Sequence, residues 1–174
     1  MSDARRILVT GASGLVGAWV TKALCAQPER FRVRVLVRSR DKLARALAPL
    51  GMSPETLDVA EGDITDSAAV ARAVVHCDAV VHCAGLYSAD VTELALLRKT
   101  NVTGTQIVLD AARAAGADPV VHVSSYLAMF PPRGAVQRAD DPVTEPRSAY
   151  AKTKAEAERI ARRHQDDGAA VVIV

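Results

Sequence analysis

A chain of 174 residues with 49% hydrophobic content can bury one sizeable core, and since only 3% is aromatic, Ala, Val and Leu must build it. Its 22 basic and 20 acidic side chains are scattered along the chain, leaving a net charge of +2 with no basic patch for nucleic acid and no acidic tail. No stretch approaches the ~20 apolar residues of a membrane span, the opening apolar run is too short for a signal-peptide core, and Cys25, Cys77 and Cys83 lack metal-ligand spacing. A single cytoplasmic domain, residues 1–174, with reduced thiols and no metal site is expected.

The first strand is read in Ile7-Leu8-Val9, which runs into Gly11, Gly14 and Gly17, spaced three apart. Leu15, Trp19, Val20 and Leu24 then follow at helical spacing, and Pro28 helps to end that helix. In such a strand-turn-helix, Gly11 permits the turn, Gly14 lets the main chain approach a ligand, and Gly17 lets the helix lie close on the sheet. The free N–H groups and positive dipole end of the helix form a site for a pyrophosphate.

Phe31–Val37 alternates and then turns apolar, as a second strand does when its end is buried in a parallel sheet. The residue about 20 beyond the glycines decides the nucleotide, because an acidic side chain there would accept the ribose hydroxyls of NAD. This chain has Arg38, backed by Ser39, Arg40 and Lys42, and guanidinium forks fit the 2′-phosphate of NADP. NADP is therefore expected, with NAD as the alternative.

Residues 41 to 50 read as a short amphipathic helix on Leu43, Leu47 and Leu50, closed by Gly51. Leu57–Ala60 is a third strand, ending in Gly62-Asp63-Ile64, and Asp66 is placed to cap the next helix. Ala79–Cys83 is a fourth strand ended by Ala84-Gly85, and its His82 and Cys83 read as packed core groups. Residues 91 to 115 carry apolar positions at helical spacing but contain Asn101 and Gly104, which a helix disfavours without compensation. Pro119–Val123 is a fifth strand delivering Ser124 and Ser125 at its carboxyl end, the edge where an open parallel sheet places its chemistry. The breaker-rich stretch from Phe130 to Pro146 is a loop, and loops of this length are commonly functional. It leads into a helix in which Tyr150 and Lys154, four apart, share a face. A sixth strand is expected over residues 170 to 174.

Taken together, the glycine turn, Asn101-Val-Thr-Gly-Thr, Ser124-Ser125 and Tyr150-Ala-Lys-Thr-Lys154 resemble the extended branch of the short-chain dehydrogenase/reductase family. This branch includes epimerases, dehydratases, dihydroflavonol reductases and 3β-hydroxysteroid dehydrogenases. The resemblance implies an α/β fold with a doubly wound parallel sheet (Rossmann fold), strand order 3-2-1-4-5-6. It implies a nucleotide site made by Thr10, Gly11, Ser13, Gly14, Leu15, Val16 and Gly17, with Arg38 at the ribose. Asp63 and Ile64 would contact the adenine, Ala84 and Gly85 the ribose and phosphates, and Tyr150 and Lys154 the nicotinamide end. Asn101 is carried over as a site-ordering member of the catalytic group. Ser125, rather than Ser124, stands where the family has its Ser or Thr.

A free phenol titrates near about 10. The family mechanism has the Lys154 ammonium lower that value, so that Tyr150 acts as general acid in carbonyl reduction or general base in alcohol oxidation, while Ser125 hydrogen-bonds the carbonyl oxygen. Family dehydratases carry Asp-Glu directly after the Ser or Thr, where this chain has Tyr126-Leu127. A carbonyl reductase or dehydrogenase acting on a small molecule is therefore expected. The alternatives are an NAD-dependent sugar-nucleotide epimerase and a non-catalytic nucleotide-binding regulator. Extended relatives continue into a smaller substrate domain that these residues lack, so an amino-terminal portion of a longer polypeptide is expected. A homodimer through the helices at 91–115 and 148–167 is also expected.

Overall fold

The computed structural model describes residues 4–132 and 134–174; the opening residues 1–3 and Arg133 of the loop lie outside the described residues. Six parallel strands form one sheet in the order β3-β2-β1-β4-β5-β6, as the family resemblance implies. They are β1 (Arg5–Thr10), β2 (Phe31–Val37), β3 (Asp58–Glu61), β4 (Ala79–His82), β5 (Val120–His122) and β6 (Val171–Ile173). The helices between them are α1 (Leu15–Cys25), α2 (Arg40–Leu47), α3 (Ser67–Val74), α4 (Leu94–Leu97), α5 (Gly104–Ala114) and α6 (Ala149–Asp166).

The period-2 alternation of the strands divides the apolar side chains between two cores. Ile7 and Val9 of β1 and Val35 and Val37 of β2 point to one face, where Ala18 of α1 and Leu43 and Leu47 of α2 cover them. Leu8 and Leu36 point to the other, packed with Val70 of α3, Val108 and Leu109 of α5 and Ile160 of α6. Helices on both faces let a parallel sheet bury nearly continuous Val/Ile/Leu runs. They also send every strand-to-helix loop to the same carboxyl edge.

Several elements differ from the sequence expectation in extent. The second helix stops at Leu47 and closes with a 3-10 turn, Ala48–Leu50, because Pro49 cannot extend the α ladder; Gly51 follows at φ +70°. The region 91–115 is broken: a 3-10 turn at Val91–Glu93 precedes α4, and a π-type turn, Arg98–Thr103, separates α4 from α5. Asn101 lies inside that widened turn, its side chain bonded to the loop after β4 and to α6. Ser148 caps α6 by accepting from the Ala151 amide, and Asp66 caps α3 as expected, accepting from Ala68 and Ala69.

Candidate functional site

Immediately after β1, Gly11 takes φ +75°, and a Cβ there would stand 2.6 Å from the Ala84 main chain. A Cβ on Gly17 would run into the Gly11 carbonyl oxygen, so only glycine lets α1 close onto the turn. Gly14 caps α1 with extended backbone and no side-chain hydrogen bond, leaving the first amides of the helix free for an acceptor. Thr10 and the side chains of Leu15 and Val16 are not in this cradle. Thr10 is fully buried below it, its hydroxyl bonded to His82 Nδ1 at 2.7 Å and accepting from the Ala84 amide at 3.3 Å. Leu15 and Val16 project outward, exposed, so only their amides face the turn.

A cleft of about 280 Å³ opens over the turn, and Gly11, Ser13, Gly14, Asp63, Ile64, Ala84 and Gly85 line it together with Arg38. Lys42 and Thr100 line it too. Thr100 was not singled out in the sequence; it reaches the cleft because it belongs to the widened turn beside Asn101. Of the basic residues grouped after β2, Arg40 pairs with Glu61 at 3.1 Å and the Ser39 hydroxyl caps α2, so Arg38 and Lys42 are the ones at the rim. Arg38 Nη1 stands 3.8 Å from Asp63 Oδ2. Burial pushes the Asp63 carboxyl up, but hydrogen bonds from Thr65 and the charges of Arg38 and Lys99 outweigh it and hold the group below its usual range. A cradle that one Cβ would fill, amide donors at a helix start and cations at the far rim fit the phosphate chain of a dinucleotide.

Beyond Ala84 and Gly85 stand Ser125, Tyr150 and Lys154, on the β5 and α6 side of the same sheet edge. Ser125 caps a 3-10 turn, Tyr126–Met129, accepting from the Leu127 amide at 3.3 Å, so the local hydrogen bond and the functional placement coexist. Tyr150 is half-buried, with the Tyr87 ring edge-on at 5.0 Å. Lys154 is buried, and its Nζ donates to the Val123 carbonyl at 2.9 Å. Burial pushes this amine down to about 8, against the raising influence of Glu158 and Cys83.

Here the sequence expectation needs a correction. Tyr150 is raised, not lowered: burial is the largest cause, Tyr87 adds to it, and the opposing influence comes from the Ser125 hydroxyl rather than from Lys154. The Lys154 amine is occupied by a strand carbonyl, and the phenol in its half-buried position keeps its proton.

Asn101 touches none of the three. Its Oδ1 accepts from the Leu86 amide at 2.7 Å, while its Nδ2 donates to the Leu86 carbonyl at 2.9 Å and to Thr153 Oγ1 at 3.0 Å. Thr153 in turn donates to the Tyr150 carbonyl at 2.7 Å. Asn101 therefore ties the loop after β4 to the first turn of α6 and acts as a positioning residue. A Cβ on Gly104 would meet the Ile64 side chain at 2.6 Å, so glycine lets the start of α5 close on the turn after β3. His82 and Cys83 are the packed groups the sequence suggests. Burial drives the imidazole down to about 3 and the thiol up to about 11, and among the described residues no cluster could hold a metal. Tyr87 and Glu158 went unnoticed in the sequence; the i, i+4 series Tyr150, Lys154, Glu158 was the signal for the second.

Sheet order and glycine cradle define a doubly wound domain of the Rossmann type. The chain belongs to the NAD dependent epimerase/dehydratase family, whose sequence model matches residues 7–174. It is 33% identical over 171 residues, 97% of this chain and 48% of the relative, to a 4-hydroxy-2-methyl-3-oxo-4-farnesyl-3,4-dihydroquinoline-1-oxide ketoreductase of Stigmatella aurantiaca. It is 32% identical to a dTDP-glucose 4,6-dehydratase of Streptomyces antibioticus over 163 residues, 89% of this chain and 47% of the relative. Among solved structures, a double mutant of the Streptomyces venezuelae dTDP-glucose 4,6-dehydratase with NAD and DAU bound superposes with a TM-score of 0.83. It is 32% identical, with 97% of this chain and 54% of that chain covered. The chain spans about half the length of the curated relatives it matches. Among the described residues, no helix is long and apolar enough to cross a membrane.

Proposed function

We propose that this domain binds NADP(H) over the glycine turn and catalyses reduction of a carbonyl group on a small molecule. The observation carrying this reading is the group at the carboxyl edge, where Ser125 faces Tyr150 and Lys154 stands one turn further along α6. Bound there, the nicotinamide supplies the hydride. Tyr150, whose phenol burial pushes up, donates its proton to the carbonyl oxygen in reduction. Ser125 orients that oxygen and bonds it as negative charge develops. Lys154, at about 8, is mostly an ammonium at neutral pH and places positive charge beside the reacting centre. At the far rim Arg38 and Lys42 favour a 2′-phosphate over bare ribose hydroxyls.

An NAD-dependent epimerase is the second reading, and one contact favours it: Arg38 already shares its charge with Asp63 at 3.8 Å. Fluorescence titration with NADPH and NADH separates the two. A panel of carbonyl substrates on the full-length polypeptide, with Tyr150→Phe as control, tests the chemistry. Tighter NADPH binding and a loss in kcat of about 100-fold or more in Tyr150→Phe are expected. Clearly tighter NADH binding removes the NADP assignment, and undiminished turnover in Tyr150→Phe removes the mechanism.

A further inference from the structure

Two polar groups at the catalytic edge have no part in the reaction above, the partly buried Ser124 and the fully buried Glu158. Glu158 stands one turn beyond Lys154, as Lys154 stands one turn beyond Tyr150, so the three share a face of α6. Its side chain is only 2% exposed. A carboxylate so placed is strongly disfavoured unless its partners compensate, and those partners indicate what it is for. Oε2 accepts from Ser124 Oγ at 2.6 Å, and Oε1 accepts from Arg162 Nε at 3.0 Å and Nη2 at 2.7 Å.

Ser124 directly precedes Ser125, and Val123 gives its carbonyl to Lys154 Nζ. The end of β5 is thus fastened to α6 at consecutive residues, by Lys154 at Val123 and by Glu158 at Ser124, and the next residue is Ser125. The charges around Lys154 point the same way. From β4, His82 and Cys83 face the amine; from β5, His122 does; on α6, Glu158 does. Burial leaves both imidazoles and the thiol uncharged at neutral pH, at about 3, about 2 and about 11. Of these four, Glu158 carries the charge, and Arg162 shares it from the opposite oxygen.

We propose that Glu158 is a positioning residue with two functions: through Ser124 it fixes the strand end that delivers Ser125, and its charge keeps the buried Lys154 amine protonated. The proposal rests on the reading of Tyr150 and Lys154 as the reacting pair. The electrostatic part is read without turnover and the clamp is read against Tyr150→Phe, so the proposal and that reading can fail separately.

The test follows the Lys154 side chain by NMR in protein labelled with ¹³C-lysine, its Cε signal being the one lost in Lys154→Arg. Glu158→Gln keeps the shape and removes the charge, so its titration midpoint is expected about 1 pH unit below that of the native protein. Arg162→Gln returns the whole of the Glu158 charge to Lys154 and moves the midpoint upward. An unmoved or raised midpoint in Glu158→Gln overturns the electrostatic part. Should that variant fail to fold, an unmoved or lowered midpoint in Arg162→Gln does so instead. Ser124→Ala is expected to leave the midpoint in place while lowering kcat about tenfold at unchanged KM. Undiminished kcat in Ser124→Ala, with Tyr150→Phe inactive, overturns the clamp and leaves the reaction assignment standing.

Discussion

Replacing Arg38 by Ala should separate the two nicotinamide dinucleotides. A hydrogen bond between charged groups contributes about 1.5–3 kcal/mol when sheltered, and an exposed ion pair about 0–1 kcal/mol. The Arg38 side chain is 66% exposed and already 3.8 Å from Asp63, so its contribution to a 2′-phosphate falls between, at about 1.5 kcal/mol. That corresponds to about a tenfold rise in Kd for NADPH. The Asp63 carboxylate, held ionised by Thr65 and its cationic neighbours, then repels the phosphate with less opposition, so the loss should shrink as salt is added. NADH has no phosphate at this place and should change less than about twofold. Titrating both reduced nucleotides by fluorescence, at low and high ionic strength, measures the ratio directly. Equal weakening of the two would refute the reasoning, because it would mean that Arg38 supports the fold of the rim and not the recognition of a phosphate.

Gly17→Ala drives a methyl group into the Gly11 carbonyl and should destabilise the domain by about 1–3 kcal/mol while weakening NADPH and NADH alike, read by thermal melting and the same titrations; an unchanged melt with intact binding would contradict the close-packing argument. Asn101→Leu strands the Leu86 amide and carbonyl and takes a donor from the Thr153 hydroxyl, which keeps its own bond to the Tyr150 carbonyl. Its expected cost is about 2–4 kcal/mol in urea denaturation, with kcat falling more than nucleotide affinity, and a stable, active variant would remove its positioning role. His82 and His122 stack at 5.4 Å and are neutral when folded, pushed by burial to about 3 and about 2, whereas in the unfolded chain they take up protons near about 6.5. Below that value the unfolded state binds more protons. The stability from keeping the pair neutral is therefore full above about pH 6.5 and lost as the pH falls towards 3, at up to about 2.7 kcal/mol per pH unit. Denaturant midpoints between pH 4.5 and 7.5 would show this slope, and a flat profile would rule it out.

What the sequence made legible follows from which forces are local. The strands, the glycine turn and the Asp66 cap depend on periodicity and on residues a few positions apart, and they stand where expected. Arg38, Asp63 and Ala84 meet in one cleft because parallel topology sends every strand end to the same edge. The direction of the Tyr150 shift was not legible, since it depends on burial and on Tyr87, which is distant in sequence, outweighing a neighbour four residues away. Thr10 reads as a nucleotide contact until the His82 imidazole takes its hydroxyl from below. The break at Arg98–Thr103 escaped as well, because Leu97, Asn101, Thr105 and Val108 keep a helical rhythm through it.

That widened turn restricts how the segment can vary. An α-helix advances about 100° per residue, so one residue gained or lost between Leu97 and Gly104 would swing α4 by roughly that angle against α5. Arg98 would leave Glu156, now 2.9 Å away, and Asn101 would leave Leu86. Deleting one residue from this stretch should therefore cost more stability than replacing an exposed side chain in it such as Lys99.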